Sequence, residues 1–541
     1  MASALLARGT SVSRQLVLLV LLAAACVLGA GAALRSTEYD ETYTRLVTSP
    51  VPRPQWPAEP FTPASAAPVL DATAGPARIA DNLRRSDVHP PLYFWLAGAW
   101  RSAGGTSVEA LRALSVLLAL GAVAAFMAAA SAAGLPPLAT GLGTVLAYGF
   151  AYTGGVARGF ALAHLLLGLS TLAVVLAWRR ASPGMAALGG LAAGGASFSN
   201  YLAAFPGAAM VGWLLIAPLP WRDRLKLLAA ATLPFLLVQG GNLYFFLAQR
   251  DSRPGQFEPF SLAAAAALLG QFNLANLFGG LPLYVDGVER LAVGGGIAVL
   301  FALGVVAVAL RWQAVGPTRW LWLGGFVAPS AGLFLLGAVF GNMPIELRYV
   351  AFAAPFAAAL LAGAAAGWMR SMPRLAPAAF ALFLLVEAAG VAGMALHPAT
   401  QQTYRDAIAA LRPVLGPDTL LLVPMGNDGV GIVGAVLAEA PRDQPLLVIR
   451  QGQAADLATR AAPYRRVVLL GITDRDGETQ EAAARTALEA DRRWVEQATP
   501  WRDARRGYSA TVLVPGTQIS SVADRAEGAL VGGAHDRREQ P

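Results

Sequence analysis

Cysteine occurs once in the 541 residues, at Cys26 inside the first apolar run, so no disulfide can close within the chain and no cysteine-based metal site can form. Lysine also occurs once, at Lys226, so the formal net charge of +8 is carried by arginine. Charge of either sign is scarce. Asp, Glu, Lys and Arg make up 14% of the chain, whereas soluble domains carry about a quarter. With 56% hydrophobic residues and a mean hydropathy of +0.52, the chain does not have water as its main solvent. The arginines sit at helix ends and in short loops, a placement that membrane topology explains and a nucleic-acid partner does not.

Apolar runs approaching the roughly 20 residues that cross a bilayer as a helix recur from residue 15 to residue 396 and then stop. The pattern predicts eleven spans, at about 15–34, 109–133, 136–155, 159–178, 184–201, 204–219, 225–248, 291–311, 319–340, 346–368 and 375–396. Arg8 and Arg14 precede the first run, and Leu22 to Cys26 faintly resembles a lipoprotein box, but the run continues to Leu34. That length suits a retained first membrane helix better than a cleaved signal. With the N-terminus in the cytoplasm, Arg179/Arg180, Arg222/Arg224/Lys226, Arg311/Arg319 and Arg370/Arg374 all fall inside, as the positive-inside rule requires. Residues 35–108, 249–290 and everything after about 397 then lie outside. Residues 261–280 are apolar but hemmed by Arg253, Pro254, Asp286 and Arg290, which fits an interfacial or re-entrant helix. If they span, the tail moves to the cytoplasm and the inward charge bias downstream is lost.

The expected architecture is therefore a polytopic α-helical membrane domain over residues 1–396, followed by an extracytoplasmic α/β domain over 397–541. The first outer loop has a Pro-rich stretch from Pro50 to Pro68, which reads as an extended linker or lid without regular helix. In the tail, helix-like stretches at 403–415, 431–440, 454–462 and 479–492 alternate with β-rich runs at 419–424, 445–450, 466–472 and 509–514. That alternation predicts a largely parallel sheet. The Gly426-Asn427-Asp428-Gly429-Val430-Gly431 turn lacks the spaced glycines of dinucleotide domains and reads as a plain strand-to-helix turn. Arg502, Arg505 and Arg506 could bind an anionic glycan or form a solvated face.

Three features carry chemistry. Asp40 and Glu41 directly follow the first span, where two carboxylates can serve as general base or bind a cation; the alternative is a helix N-terminus that favours acidic residues for its dipole. In Asp87-Val88-His89-Pro90-Pro91-Leu92-Tyr93, a double proline fixes the chain's approach to the bilayer beside an imidazole. His89 could donate to phosphate or act as an interfacial anchor. Arg158 and Arg348 lie at outer helix ends, against the inward bias of the other arginines. A guanidinium there suits bidentate phosphate recognition, with snorkelling as the alternative.

Together with Glu109-Ala110-Leu111-Arg112-Ala113-Leu114-Ser115, Ser199-Asn200-Tyr201, and Arg348-Tyr349 followed by Pro355, these residues give residues 15–396 a resemblance. The chain resembles the bacterial relatives of protein O-mannosyltransferases and lipid A aminoarabinose transferases, membrane glycosyltransferases of the GT-C structural class. The resemblance implies a bacterial inner membrane as the location, a polyprenyl-phosphate sugar donor and an extracytoplasmic glycan, lipid or protein acceptor. It makes Asp40 the base that takes the acceptor hydroxyl's proton. Glu41 would orient the acceptor or help bind a divalent cation. Arg158, Arg348 and His89 would hold the leaving lipid phosphate, and Asp87, Tyr93, Tyr201 and Tyr349 would line the substrate pocket. The sequence departs from the family pattern at Gly155-Val156-Ala157 before Arg158 and at Ser199-Asn200-Tyr201, where a Thr-His-Tyr is common. These departures alter the expected donor contacts and weaken the case for a metal.

Two other classes compete. A transporter should place ionisable groups near span centres, and here only Glu387 does so. A non-catalytic carrier-binding or assembly protein would keep the fold without the reaction.

Overall fold

The computed structural model describes residues 5–6, 13–250, 257–280, 287–396, 402–426, 429–454, 456–471, 477–490, 494–503 and 507–516. Arg8, Arg253, Pro254, Asp286, Asn427, Asp428, Arg505 and Arg506 lie outside these residues. The chain forms two compact units. One comprises Met1–Arg35, Val47–Pro52 and Thr73–Thr400; the other comprises Ser36–Leu46, Arg53–Ala72 and Gln401–Pro541. The second unit thus takes two pieces of the first loop as well as the tail.

In the first unit, eight helices among the described residues are long and apolar enough to cross a membrane: Arg14–Leu34, Val108–Ala132, Phe160–Arg180, Trp221–Gln249, Leu291–Leu310, Arg319–Phe340, Leu347–Trp368 and Leu375–Leu396. The chain is a multi-pass integral membrane protein. The other three expected spans form shorter helices. Residues 136–155 break into Pro137–Leu146 and Tyr148–Gly154 at Ala147, whose ψ of 124° is extended rather than helical. Pro183–Ser197 has 15 residues and Ala204–Trp213 has 10. Leu262–Leu277, at 16 residues, falls short of the roughly 20 needed to span. It packs through Ala265 and Leu269 against Leu333, Ile345 and Val350.

Helix starts follow side-chain capping. Ser13 and Ser107 accept the amides of Leu16 and Ala110, at 3.3 and 3.2 Å. Apolar area between helices drives little association in lipid, so close approach of small residues must supply it. A Cβ on Gly190 would lie 1.9 Å from the Ala231 carbonyl oxygen, and one on Gly325 would lie 2.3 Å from Phe356 Cδ1. Neither position admits a side chain without displacement.

The second unit contains a five-stranded sheet: β1 (Thr419–Pro424), β2 (Leu446–Ile449), β3 (Arg466–Gly471), β4 (Trp494–Asp503) and β5 (Tyr508–Pro515), in the order β2-β1-β3-β5-β4. The β1–β2 and β1–β3 pairs are parallel, whereas β3–β5 and β4–β5 are antiparallel. The largely parallel sheet expected from sequence is therefore mixed. The difference is β4, an edge strand interrupted by register shifts and mostly exposed, so it carries no apolar run that would announce it.

The Pro50–Pro68 stretch also departs from expectation, because Pro63–Asp71 is a regular helix. Pro63 occupies a first-turn position whose N–H has no helical partner anyway, and Thr62 and Ser65 cap each other's backbone amides. Just before it, Phe61 exchanges two backbone hydrogen bonds with Leu446, of 2.9 and 2.8 Å, and so covers the edge of β2. Trp56 stacks on Phe61 at 6.1 Å, and both join the core of β1, β2 and the Gly429–Glu439 helix.

Candidate functional site

In the membrane unit, a buried ion pair joins Asp87, in the turn Asp87-Val88-His89-Pro90-Pro91, to Arg158 at the start of the Phe160–Arg180 helix. Neither proline has an N–H, so the first donor of the Leu92–Gly104 helix is Leu92, which bonds the Phe198 carbonyl at 3.0 Å. The preceding Pro76–Ser86 helix is tied down by Asn82, whose Nδ2 donates to the Val47 and Ser49 carbonyls at 2.9 and 2.8 Å. These two anchors hold Asp87 and His89 between fixed ends.

Asp87 is the organising group. Its Oδ1 accepts the Val88 amide at 2.6 Å and lies 2.6 Å from His89 Nδ1, while Oδ2 lies 3.7 Å from Arg158 Nη1. Both ends of the Asp87–Arg158 pair are almost wholly buried, at 0% and 1% side-chain exposure, so their attraction is little screened. The Arg158 guanidinium stands 5.6 Å over the Phe94 ring, and the His89 ring meets the same phenyl edge-on at 6.1 Å. One carboxylate and one phenyl thus orient two cationic or cation-capable groups, the preorganisation that anion stabilisation requires.

The approach to Arg158 depends on Gly159. A Cβ there would sit 2.2 Å from the Ser199 carbonyl oxygen, so only glycine lets the Arg158 turn lie against Ser199-Asn200-Tyr201. Tyr201 donates to Gln249 Oε1 at 2.8 Å, and Gln249 Nε2 donates to the carbonyls of His89 and Leu83, each at 3.0 Å. Tyr93 is fully buried and shares a 3.4 Å hydrogen bond with Ser115.

Asp87, His89, Arg158, Tyr93 and Tyr201 are therefore drawn into one neighbourhood. Arg348 and Tyr349 belong to another element, the 3-10 segment Leu347–Ala353. There Arg348 Nε pairs with Glu346 Oε2 at 2.8 Å and its guanidinium lies 5.4 Å over the Tyr349 ring. Asn276 Nδ2 donates to the Leu347 carbonyl at 2.6 Å and anchors that segment. Sequence reasoning missed Gln249, and it named Arg112 only within the Glu109–Ser115 motif, with no role of its own. Buried Arg112 donates to the carbonyls of Ala32 and Arg35 at 2.9 and 3.2 Å. The only sequence signal for Gln249 is a polar residue at the end of an otherwise apolar helix.

Asp40 and Glu41 belong to the second unit, in the helix Tyr39–Val47. Glu41 is fully buried, and its Oε2 accepts the Glu38 amide at 3.0 Å, the return half of a capping box. Asp40 is 6% exposed and lies in the first turn, a position that suits an acidic residue. Among the described residues, no three His, Cys, Asp or Glu side chains gather as a metal site.

No protein-family model matches the chain, and no curated protein matches it. Among solved structures, the chain is similar to ArnT from Cupriavidus metallidurans in the apo state, at 14% identity and a TM-score of 0.48 over 92% of this chain and 97% of that one. The match runs nearly the length of both chains. ArnT bound to undecaprenyl phosphate gives 13% identity and a TM-score of 0.45 over the same shares. Arabinofuranosyltransferase AftD from Mycobacteria gives 15% identity and a TM-score of 0.45 over 94% of this chain and 42% of that one.

Proposed function

We propose that the chain is a glycosyltransferase of a bacterial inner membrane, moving a sugar from a polyprenyl-phosphate donor to an acceptor of the cell envelope outside the cytoplasm. The observation that carries this reading is the Asp87–His89–Arg158 set, in which the buried Asp87 carboxylate presets the buried Arg158 guanidinium and the partly exposed His89 imidazole at the start of a membrane helix. Ionisable groups at such depth are costly and ordinarily serve a ligand or a pathway. A glycosyl phosphate is a ligand whose charge grows as the reaction proceeds. The acceptor oxygen bonds to the anomeric carbon, the bond from that carbon to the phosphate oxygen breaks, and the electron pair stays on the phosphate.

In this scheme Arg158, His89 and Arg348 stabilise the departing phosphate. Asp40 takes the acceptor hydroxyl's proton. Glu41 orients the acceptor, and Tyr93, Tyr201 and Tyr349 line the substrate pocket.

The test is to delete the gene in its host, compare envelope glycans by mass spectrometry, and complement with wild type or Asp40→Asn. A sugar lost on deletion, restored by wild type and still missing with Asp40→Asn supports the reading. Full restoration by Asp40→Asn overturns it in favour of a non-catalytic carrier-binding protein.

A further inference from the structure

We infer that the C-terminal domain holds the Asp40–Glu41 helix in its working position, with Glu439 as a positioning residue; the functional part of this inference rests on the reading of Asp40 as the base. The Tyr39–Val47 helix has nine residues, too few to be stable alone, so its geometry must come from what it packs against. On the approach to this helix, four hydrogen bonds join Ser36, Thr37 and Tyr39 to the C-terminal segment. Thr37 donates both its amide and its hydroxyl to Glu439 Oε1, at 2.7 and 2.8 Å. The other oxygen, Oε2, pairs with Arg405 Nε at 3.1 Å, while the Arg405 amide donates to Ser36 Oγ at 3.0 Å. The Tyr39 amide donates to Gln402 Oε1 at 2.7 Å.

Packing repeats the pattern. The Gly429–Glu439 helix turns two glycines toward the loop helix, and neither tolerates a methyl. A Cβ on Gly431 would lie 2.7 Å from Tyr43 Cε2, and one on Gly434 would lie 2.2 Å from Thr42 Cγ2. Tyr43 and Thr42 are both 1% exposed, and Leu46 enters the same core as Leu421, Val423 and Val433. Asp40 and Glu41 are thus flanked on the helix by residues whose places the C-terminal domain sets. A carboxylate acting as a base loses much of its effect when displaced by about 1 Å, so the C-terminal segment governs the chemistry through the placing of Asp40 and supplies no reacting group of its own.

The experiment uses the full-length protein carrying Gly434→Val, Glu439→Ala or Glu439→Gln, followed by hydrogen exchange over residues 36–48 and by transfer kinetics. Exchange in the 39–47 helix is expected to rise about tenfold or more in Gly434→Val and Glu439→Ala, with strands β1 and β3 staying protected. The kcat is expected to fall about tenfold or more with the donor KM unchanged. Glu439→Gln, which keeps an acceptor for Thr37, recovers part of both. Should Gly434→Val expose β1 and β3 as well, the two Glu439 variants decide. Unaltered protection of the 39–47 helix in Glu439→Ala overturns the hold. Raised exchange with unaltered transfer overturns the positioning role. A wild-type protein without transferase activity sinks the reading of Asp40 as a base, while the exchange data still decide whether the domain holds the helix.

Discussion

His89 Nδ1 lies 2.6 Å from Asp87 Oδ1, close enough for the carboxylate to fix Nδ1 as the protonated nitrogen of that imidazole. The same carboxylate's second oxygen faces Arg158. One substitution therefore disorders two phosphate-binding candidates at once.

Asp87→Asn removes the charge but keeps the size. It leaves the Arg158 guanidinium buried beside a neutral amide, which for a broken buried ion pair costs about 3–5 kcal/mol. The expected outcome is a fall of several degrees in the thermal midpoint in detergent and a transfer rate lower by about a hundredfold. A variant with wild-type melting and wild-type rate would remove Asp87 from its organising role.

Gly159→Ala tests the close approach at Ser199. The obstacle is backbone, the Ser199 carbonyl oxygen at 2.2 Å from the added carbon, so the Arg158 turn or the Ser199 turn must shift. Overpacking of this kind costs about 1–3 kcal/mol. A raised donor KM, measured with a labelled lipid-phosphate sugar, is expected to accompany the stability loss, because Arg158 is the next residue.

Gln249→Leu leaves the His89 and Leu83 carbonyls and the Tyr201 hydroxyl without the amide that joins them. Each buried group left unsatisfied costs about 1–3 kcal/mol. Thermal unfolding should report a clear loss, whereas Leu233→Ala, at a position 65% exposed on the same helix, should leave the midpoint nearly unchanged.

Asp406 gives the C-terminal domain a pH dependence. Burial raises its carboxyl above the ordinary range, Arg405 pulls it back, and Asp503 and Glu439 push it up again. A raised acid pKa means that the folded state binds the proton more tightly than the unfolded state. The stability it contributes is complete below the unfolded value of about 3.9 and is lost as pH rises through the raised folded value. Asp406→Asn should therefore melt progressively higher than wild type as pH climbs from about 4 to 7. Parallel curves for the two proteins would contradict this.

Much of the membrane body was legible because lipid enforces a simple rule: long uncharged runs become helices, and eight did so with lengths near those expected. The breaks were not legible. Ala147 interrupts an apolar run through its backbone angle alone, and no residue type marks it. In the tail, alternation of apolar and polar runs revealed β1, β2, β3 and β5 but not the exposed strand β4. At the site, Asp87, His89 and Arg158 stood out as ionisable groups beside apolar stretches. Gln249 and Gly159 did not, since their importance lies in partners 160 and 40 positions distant in sequence.

The tie between Thr37 and Glu439 spans 402 positions of the chain. A ribosome adding about 5–20 residues per second needs roughly 20–80 s to cover that stretch, and throughout that time the segment bearing Asp40 emerges and waits without its anchor. Chains released before Glu439 would keep their membrane helices yet never assemble this corner, so the hold on the Asp40 helix forms only once synthesis has passed residue 439.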